Sequence, residues 1–168
     1  MERQQRPLGT SAADVELLTG PELAGLGRRL AAYLLDMPLV LLAQAVTGFT
    51  ATALGAVAWL LLAGGQEGIV ADVAVAMVWL VIALTGYGYF AAFEASGWQA
   101  TPGKRLLGLT VARVDGRPLD LRRAAVRSLA RSLCHLSLGL GYLLALSNRR
   151  RQGLHDLIAE TVVVRRRS

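Results

Sequence analysis

Arg29 and Asp36 stand seven residues apart inside a run that is otherwise almost wholly apolar. On a helix that spacing turns through about 700°, roughly 20° short of two full turns, so the two side chains share a face about 10 Å apart along the axis. They are too far apart for an ion pair within the helix. A carboxylate carried into a membrane span costs roughly 2.5–3.5 kcal/mol on insertion scales, so Asp36 needs compensation from elsewhere. Two chemistries answer that need. One is an ion or proton site; the other is a polar lock between helices, for which Tyr33, Gln44, Thr85 and Tyr87 are the partners within the apolar segments.

The remaining reactive side chains make no catalytic pattern. Glu94 closes an apolar run beside Ser96 and Gly97, where an interfacial carboxylate pairing with Arg28 or Arg29 is the plain expectation. Gly97 to Lys104 falls short of a phosphate loop, because five residues separate its glycines and Arg105, not Ser or Thr, follows the lysine. Thr101-Pro102-Gly103 reads as a turn. His135 and His155 lack ligands at metal spacing, and His155-Asp156 reads as a hydrogen-bonding cap. Cys134 is the only cysteine and sits in an apolar helical pattern as a small buried hydrophobe. With no nucleophile motif, paired carboxylates or glycine-rich cofactor loop, neither an enzyme nor a cofactor or metal is expected.

What must position these groups is a membrane-embedded chain. Hydrophobic residues make up 54% of 168, and between Met37 and Phe93 only Glu67 and Asp72 are charged. Of 18 Lys and Arg residues, 14 follow Phe93. These arginines flank apolar segments without interleaved aromatics, which points to anionic bilayer headgroups as partners, not nucleic acid. The first run, Leu30 to Ala63, would measure about 50 Å as one helix against roughly 30 Å of hydrocarbon. A break at Thr47, Gly48, Thr50 and Thr52 is therefore expected, giving a first span of about 28–50 and an outer-face segment over 51–66. The Gly64–Gly68 cluster then turns the chain into a second span of about 69–93. Residues 1–26 read as a polar lead-in with neither signal-peptide nor transit-peptide character.

Beyond Gly97 the pattern changes. Leu106 to Val114 alternates and meets Asp115-Gly116, predicting a strand and a hairpin over 104–119 that Thr161 to Val164 could join. Asp120 predicts an N-cap for a helix over 121–136 with Arg123, Arg127 and Arg131 on one face, the arrangement of a helix lying on anionic lipid through its arginines. Its continuation, 132–147, is short for a span and broken by glycines. It reads as re-entrant, with a third transmembrane helix as the rival. Positively charged segments favour the cytoplasm, so two crossings return the Lys104–Arg117 region to the side of Arg28 and Arg29.

Three pieces in order, GRRLAAYLLD at 27–36, GWQATPGKRLLGLTVARVDGRPL at 97–119 and RRRQGLHDLIAETVVV at 149–164, resemble the RDD family of bacterial membrane proteins. The resemblance implies that Arg29 and Asp36 are the family's arginine and first aspartate, with Arg28 an adjacent competitor, and that Asp156 is the second aspartate. It implies a multi-pass protein of the cell (inner) membrane and suggests transport of an unidentified ligand. The expected protein is all-α, with two transmembrane helices plus a re-entrant or third one, a small cytoplasmic β element, a membrane domain over 27–164 and a basic tail over 165–168. Its N-terminus is cytoplasmic. Its function is either transport of an ion or small ligand around Asp36 as a homo-oligomer, closed by small residues such as Gly86, Gly88, Ala91 and Ala92, or non-catalytic scaffolding of lipid or a partner.

Overall fold

A computed structural model describes residues 22–62 and 67–165. Two helices, α1 (Leu26–Leu62) and α2 (Glu67–Ala95), are long and apolar enough to cross a membrane. The expected break in the first run does not occur. The hydroxyls of Thr47, Thr50 and Thr52 each donate to the carbonyl four residues back, at 2.7, 2.9 and 2.8 Å, so these residues keep the helix closed without needing water. Residues 51–62 are accordingly helical and not a separate outer-face segment, and 63–66 lie outside the described residues. With 37 and 29 residues, α1 and α2 are about 55 and 43 Å long, well beyond the hydrocarbon thickness.

The helices pack as an antiparallel hairpin. The Gln44 amide donates to the Ile82 carbonyl at 3.2 Å, Gly48 lies against Ile82, and Gly55 faces Ala74 further along. Gly86 is used within the chain, since any Cβ there would meet the Gln44 amide nitrogen at 2.8 Å.

At the end of the hairpin that holds the start of α1 and the finish of α2, the rest of the chain builds a small polar module. It comprises α3 (Pro102–Leu106), β1 (Leu109–Arg113), α4 (Leu121–Leu136), α5 (Leu140–Ser147), α6 (Leu154–Ile158) and β2 (Thr161–Arg165). The strands pair antiparallel, with Val111 opposite Val163. Leu106 belongs to α3, so the strand is shorter than its alternating pattern suggests. Asp115-Gly116 does turn the chain, with Gly116 at φ +79°, but the return is a single bridge, Ala112 to Pro118, and the true partner of β1 is β2. On the far side of β2, Leu23 forms a bridge with Val164 and the Ala24 N–H donates to the Val163 carbonyl at 2.9 Å. The last residues of the expected lead-in are thus part of the sheet, and 1–21 and 166–168 lie outside the described residues. Beneath the sheet, Ala32, Ala91, Leu109, Val111, Leu119, Ala124 and Val163 form the core.

Helix α4 has the expected bounds and the expected cap, Asp120 accepting from the Arg123 N–H at 2.8 Å. It runs antiparallel to α2, from Arg127 beside Glu94 to Ser128 and Ser132, whose hydroxyls contact the Tyr87 carbonyl and hydroxyl at 2.9 and 2.6 Å. Leu138 and Gly139, both left-handed at φ 50° and 89°, then break the helix, and α5 leaves at 105°. The chain returns to the end from which it set out, where the Arg151 guanidinium donates to the Leu23 carbonyl at 3.4 Å.

Candidate functional site

Asp36 is fully buried, and three donors from two elements hold its carboxylate. The Gly103 N–H donates at 2.7 Å, the Thr101 hydroxyl at 2.5 Å and the Tyr89 hydroxyl at 3.1 Å. None of the four partners expected from the apolar segments is used. Thr-Pro-Gly makes this contact for clear reasons. Thr101 is the N-cap of α3, Pro102 needs no N–H in the first turn, and Gly103 lets the backbone sit against α1. A Cβ on Gly103 would lie 2.3 Å from the Ala32 carbonyl oxygen.

The second centre is Asp156, also fully buried. Arg29 donates to one of its oxygens at 2.5 Å, and Arg127 donates to the other through two nitrogens at 2.9 and 2.6 Å. Of the two neighbouring arginines, Arg29 turns inward to Asp156 and Arg28 is exposed. The Gly153 N–H adds a fourth donor at 3.2 Å, so Asp156 also caps α6. Burial alone would raise the Asp156 pKa, but the Arg127 and Arg29 charges more than offset it and hold the carboxyl well below its usual range.

Glu94 is the third centre and the one whose partners the sequence hid. It pairs not with Arg28 or Arg29 but with Lys104, with Arg127 at 2.5 Å and with Arg131 at 3.3 Å. Lys104, which sequence spacing dismissed along with the phosphate loop, is buried here. Burial pushes its ammonium down to about 8, with Glu94 opposing the shift. Arg127 bridges Glu94 and Asp156 and is the hub of the cluster.

The arginine face of α4 is therefore the reverse of a lipid-facing surface. Arg127 and Arg131 are buried, and Arg123 is spent on Glu160 at 2.5 Å, while Val126, Leu129, Leu133 and Leu136 are exposed. Three buried or flanking carboxylates draw the guanidinium groups inward, and the apolar stripe is what remains outside.

His155 sits 3.3 Å from Asp156 and 3.4 Å from the Cys134 sulfur. Burial pushes its imidazole down to about 3, Asp156 opposing and the Arg127 and Arg131 charges adding to the shift. It is a neutral hydrogen-bonding group at physiological pH.

Between these groups lies a cavity of about 410 Å³, bounded by α1, α2, α4, α5 and α6. Asp36, Arg29, Lys104, Arg127, Arg131 and His155 supply its polar wall. Leu26, Leu30, Tyr33, Phe90, Ala145 and Val163 supply the apolar one. A concave, largely apolar chamber with a few convergent polar groups is the usual form of a small-molecule site.

The RDD family model matches residues 23–160, which include every group in this cluster. No curated protein and no solved structure matches the chain.

Proposed function

The chain belongs to the RDD family, and on that premise we propose that it is a non-catalytic, multi-pass protein of the cell membrane that binds a small ligand at the cytoplasmic end of its helix hairpin. The observation that carries this reading is the cavity, walled by Arg29 and Asp36 and by the cations Lys104, Arg127 and Arg131. Transport around Asp36 would require that carboxylate to exchange three partners, and a two-helix hairpin would need a homo-oligomer to enclose a path. Binding within one chain needs neither. Anionic headgroups are the natural partners of the exposed arginines Arg28, Arg117 and Arg149.

Ala145 tests the cavity without touching the ionic cluster. It is buried on α5 and lines the chamber, so Ala145→Phe fills the space while every ion pair stays in place. The expected variant inserts and melts like the parent yet does not restore the phenotype caused by deleting the gene. Full complementation by a properly folded Ala145→Phe protein would remove the cavity from the function.

The topology that accompanies this reading puts both termini in the cytoplasm, with α4 and α5 re-entrant. Its support is the pairing of 22–24, β1 and β2 in one sheet and the return of the chain from α5 to Leu23. In a Cys134→Ser background, single cysteines at positions 11 and 168 are expected to resist an impermeant thiol reagent on intact cells and to react after lysis. Reaction at 168 from outside would instead support a third span.

A further inference from the structure

Two guanidinium groups on the cavity wall are incompletely used. Arg131 is buried with its guanidinium 4.2 Å over the Phe90 ring and Nη1 lacking a hydrogen-bond partner, and Arg29, nearly as enclosed, leaves Nη2 without one too. Both residues line the chamber. A buried guanidinium N–H without an acceptor is more costly than a neutral donor left in the same state, unless something supplies one. The acceptors already there cannot. Asp36 is taken by Thr101, Gly103 and Tyr89, and Glu94 and Asp156 are shared among Lys104, Arg127, Arg131 and Arg29.

The formal charges point the same way. Four cations, Arg29, Lys104, Arg127 and Arg131, face three carboxylates, Asp36, Glu94 and Asp156, which leaves one positive charge uncompensated. An anion carrying a single charge would balance the cluster.

The rest of the wall describes what that anion is attached to. Leu30 lines the chamber and is also 56% exposed, so the cavity reaches the outer surface of α1 at an apolar place. Leu34, one turn further along α1, is 60% exposed as well and continues that apolar surface. A free inorganic anion would gain nothing from half-buried Leu26 and exposed Leu30, whereas an acyl chain would cover them. We propose that the cavity takes the acidic head of an acyl-chain amphiphile, which enters from the lipid side past Leu30 and is received by the open N–H groups of Arg131 and Arg29. This rests on the binding function argued above and names the class of ligand.

The test uses the full chain in nanodiscs of neutral phosphatidylcholine. Four probes are titrated separately: a long-chain fatty acid, a lysophosphatidic acid, the fatty alcohol of the same chain length, and inorganic phosphate. At least one of the two acidic amphiphiles is expected to bind saturably, one per chain and at least tenfold more tightly than the alcohol, with phosphate not binding. Which acid binds separates a free carboxylate from a lipid phosphate as the source. Arg131→Gln should weaken that binding at least tenfold. Glu94 still has Lys104 and Arg127 in this variant, so the cluster survives, and unchanged melting checks this. Arg122→Gln, an exposed position on the same helix, should bind like the parent. If the alcohol binds as well as the acids, or Arg131→Gln binds unchanged, the proposal is overturned. If phosphate alone binds, the amphiphile is wrong but the cavity reading stands. If no probe binds and Ala145→Phe complements, both fall together.

Discussion

Arg127→Met is expected to open the polar end of the molecule while leaving the α1–α2 hairpin helical. Arg127 is fully buried and donates to both Glu94 and Asp156, so its loss strips two buried carboxylates of their shared partner at once. Removing one member of a buried ionic group typically costs about 3–5 kcal/mol, because the charges left behind are uncompensated. Cys134 supplies the readout. It is the chain's only cysteine and is fully buried beneath Gly141, against the same side of α4. Its reaction with a small thiol reagent therefore reports how often that end opens. An opening made easier by 3–5 kcal/mol should react roughly 100- to 1,000-fold faster or more. Arg122→Met on the same helix should react at the parental rate. If Arg127→Met does so too, the ionic cluster does not hold the module closed.

The second large effect is expected at Gly103. The Cβ of alanine would stand 2.3 Å from the Ala32 carbonyl oxygen and 2.9 Å from Asp36 Cγ, and the first of these is backbone that cannot swing away. Helix α3 must lift from α1, and in doing so it gives up the Gly103 and Thr101 hydrogen bonds to Asp36. Overpacking costs about 1–3 kcal/mol, and hydrogen bonds to a charged group contribute about 1.5–3 kcal/mol each. A loss near 4 kcal/mol is the expected outcome, read as a large drop in melting temperature in detergent. Asp36→Asn should lose less, since an amide oxygen still accepts from Gly103 and Tyr89. Equal melting of Gly103→Ala and parent would show that α3 does not press on α1 as described.

How much of this was legible beforehand depends on what each pattern encodes. The bounds of α4 were readable because Asp120 is a local cap and the apolar period is local too. Which face of α4 turns inward was not. Periodicity separates two faces of a helix, but the side that is covered depends on where Glu94 and Asp156 lie, and those belong to distant parts of the chain. The partners of Asp36 are hidden for a related reason: the chain folds 101–103 back onto the first helix, and only Tyr89 of its three donors comes from a span. The length of the first run argues for a break at 47–52, but a helix can outrun the hydrocarbon, and the hydroxyls of Thr47, Thr50 and Thr52 serve its own carbonyls. Alternation before Asp115-Gly116 marks β1 and β-branched residues mark β2, so their pairing is open to the sequence, though not fixed by it.

The ion pair between Arg29 and Asp156 spans 127 positions of sequence. During synthesis Arg29 leaves the ribosome first, and the whole hairpin follows before its aspartate exists. Integration of α1 and α2 into the bilayer and closure of the polar module are thus separated in time, with Arg29, Asp36 and Glu94 exposed to the membrane surface in between. A nascent chain halted after α2 would carry Arg29 and Asp36 in its helix hairpin and still possess no site. Assays of membrane integration consequently report on the helices alone, and only those that sense the later-made segment can tell a finished molecule from an inserted one.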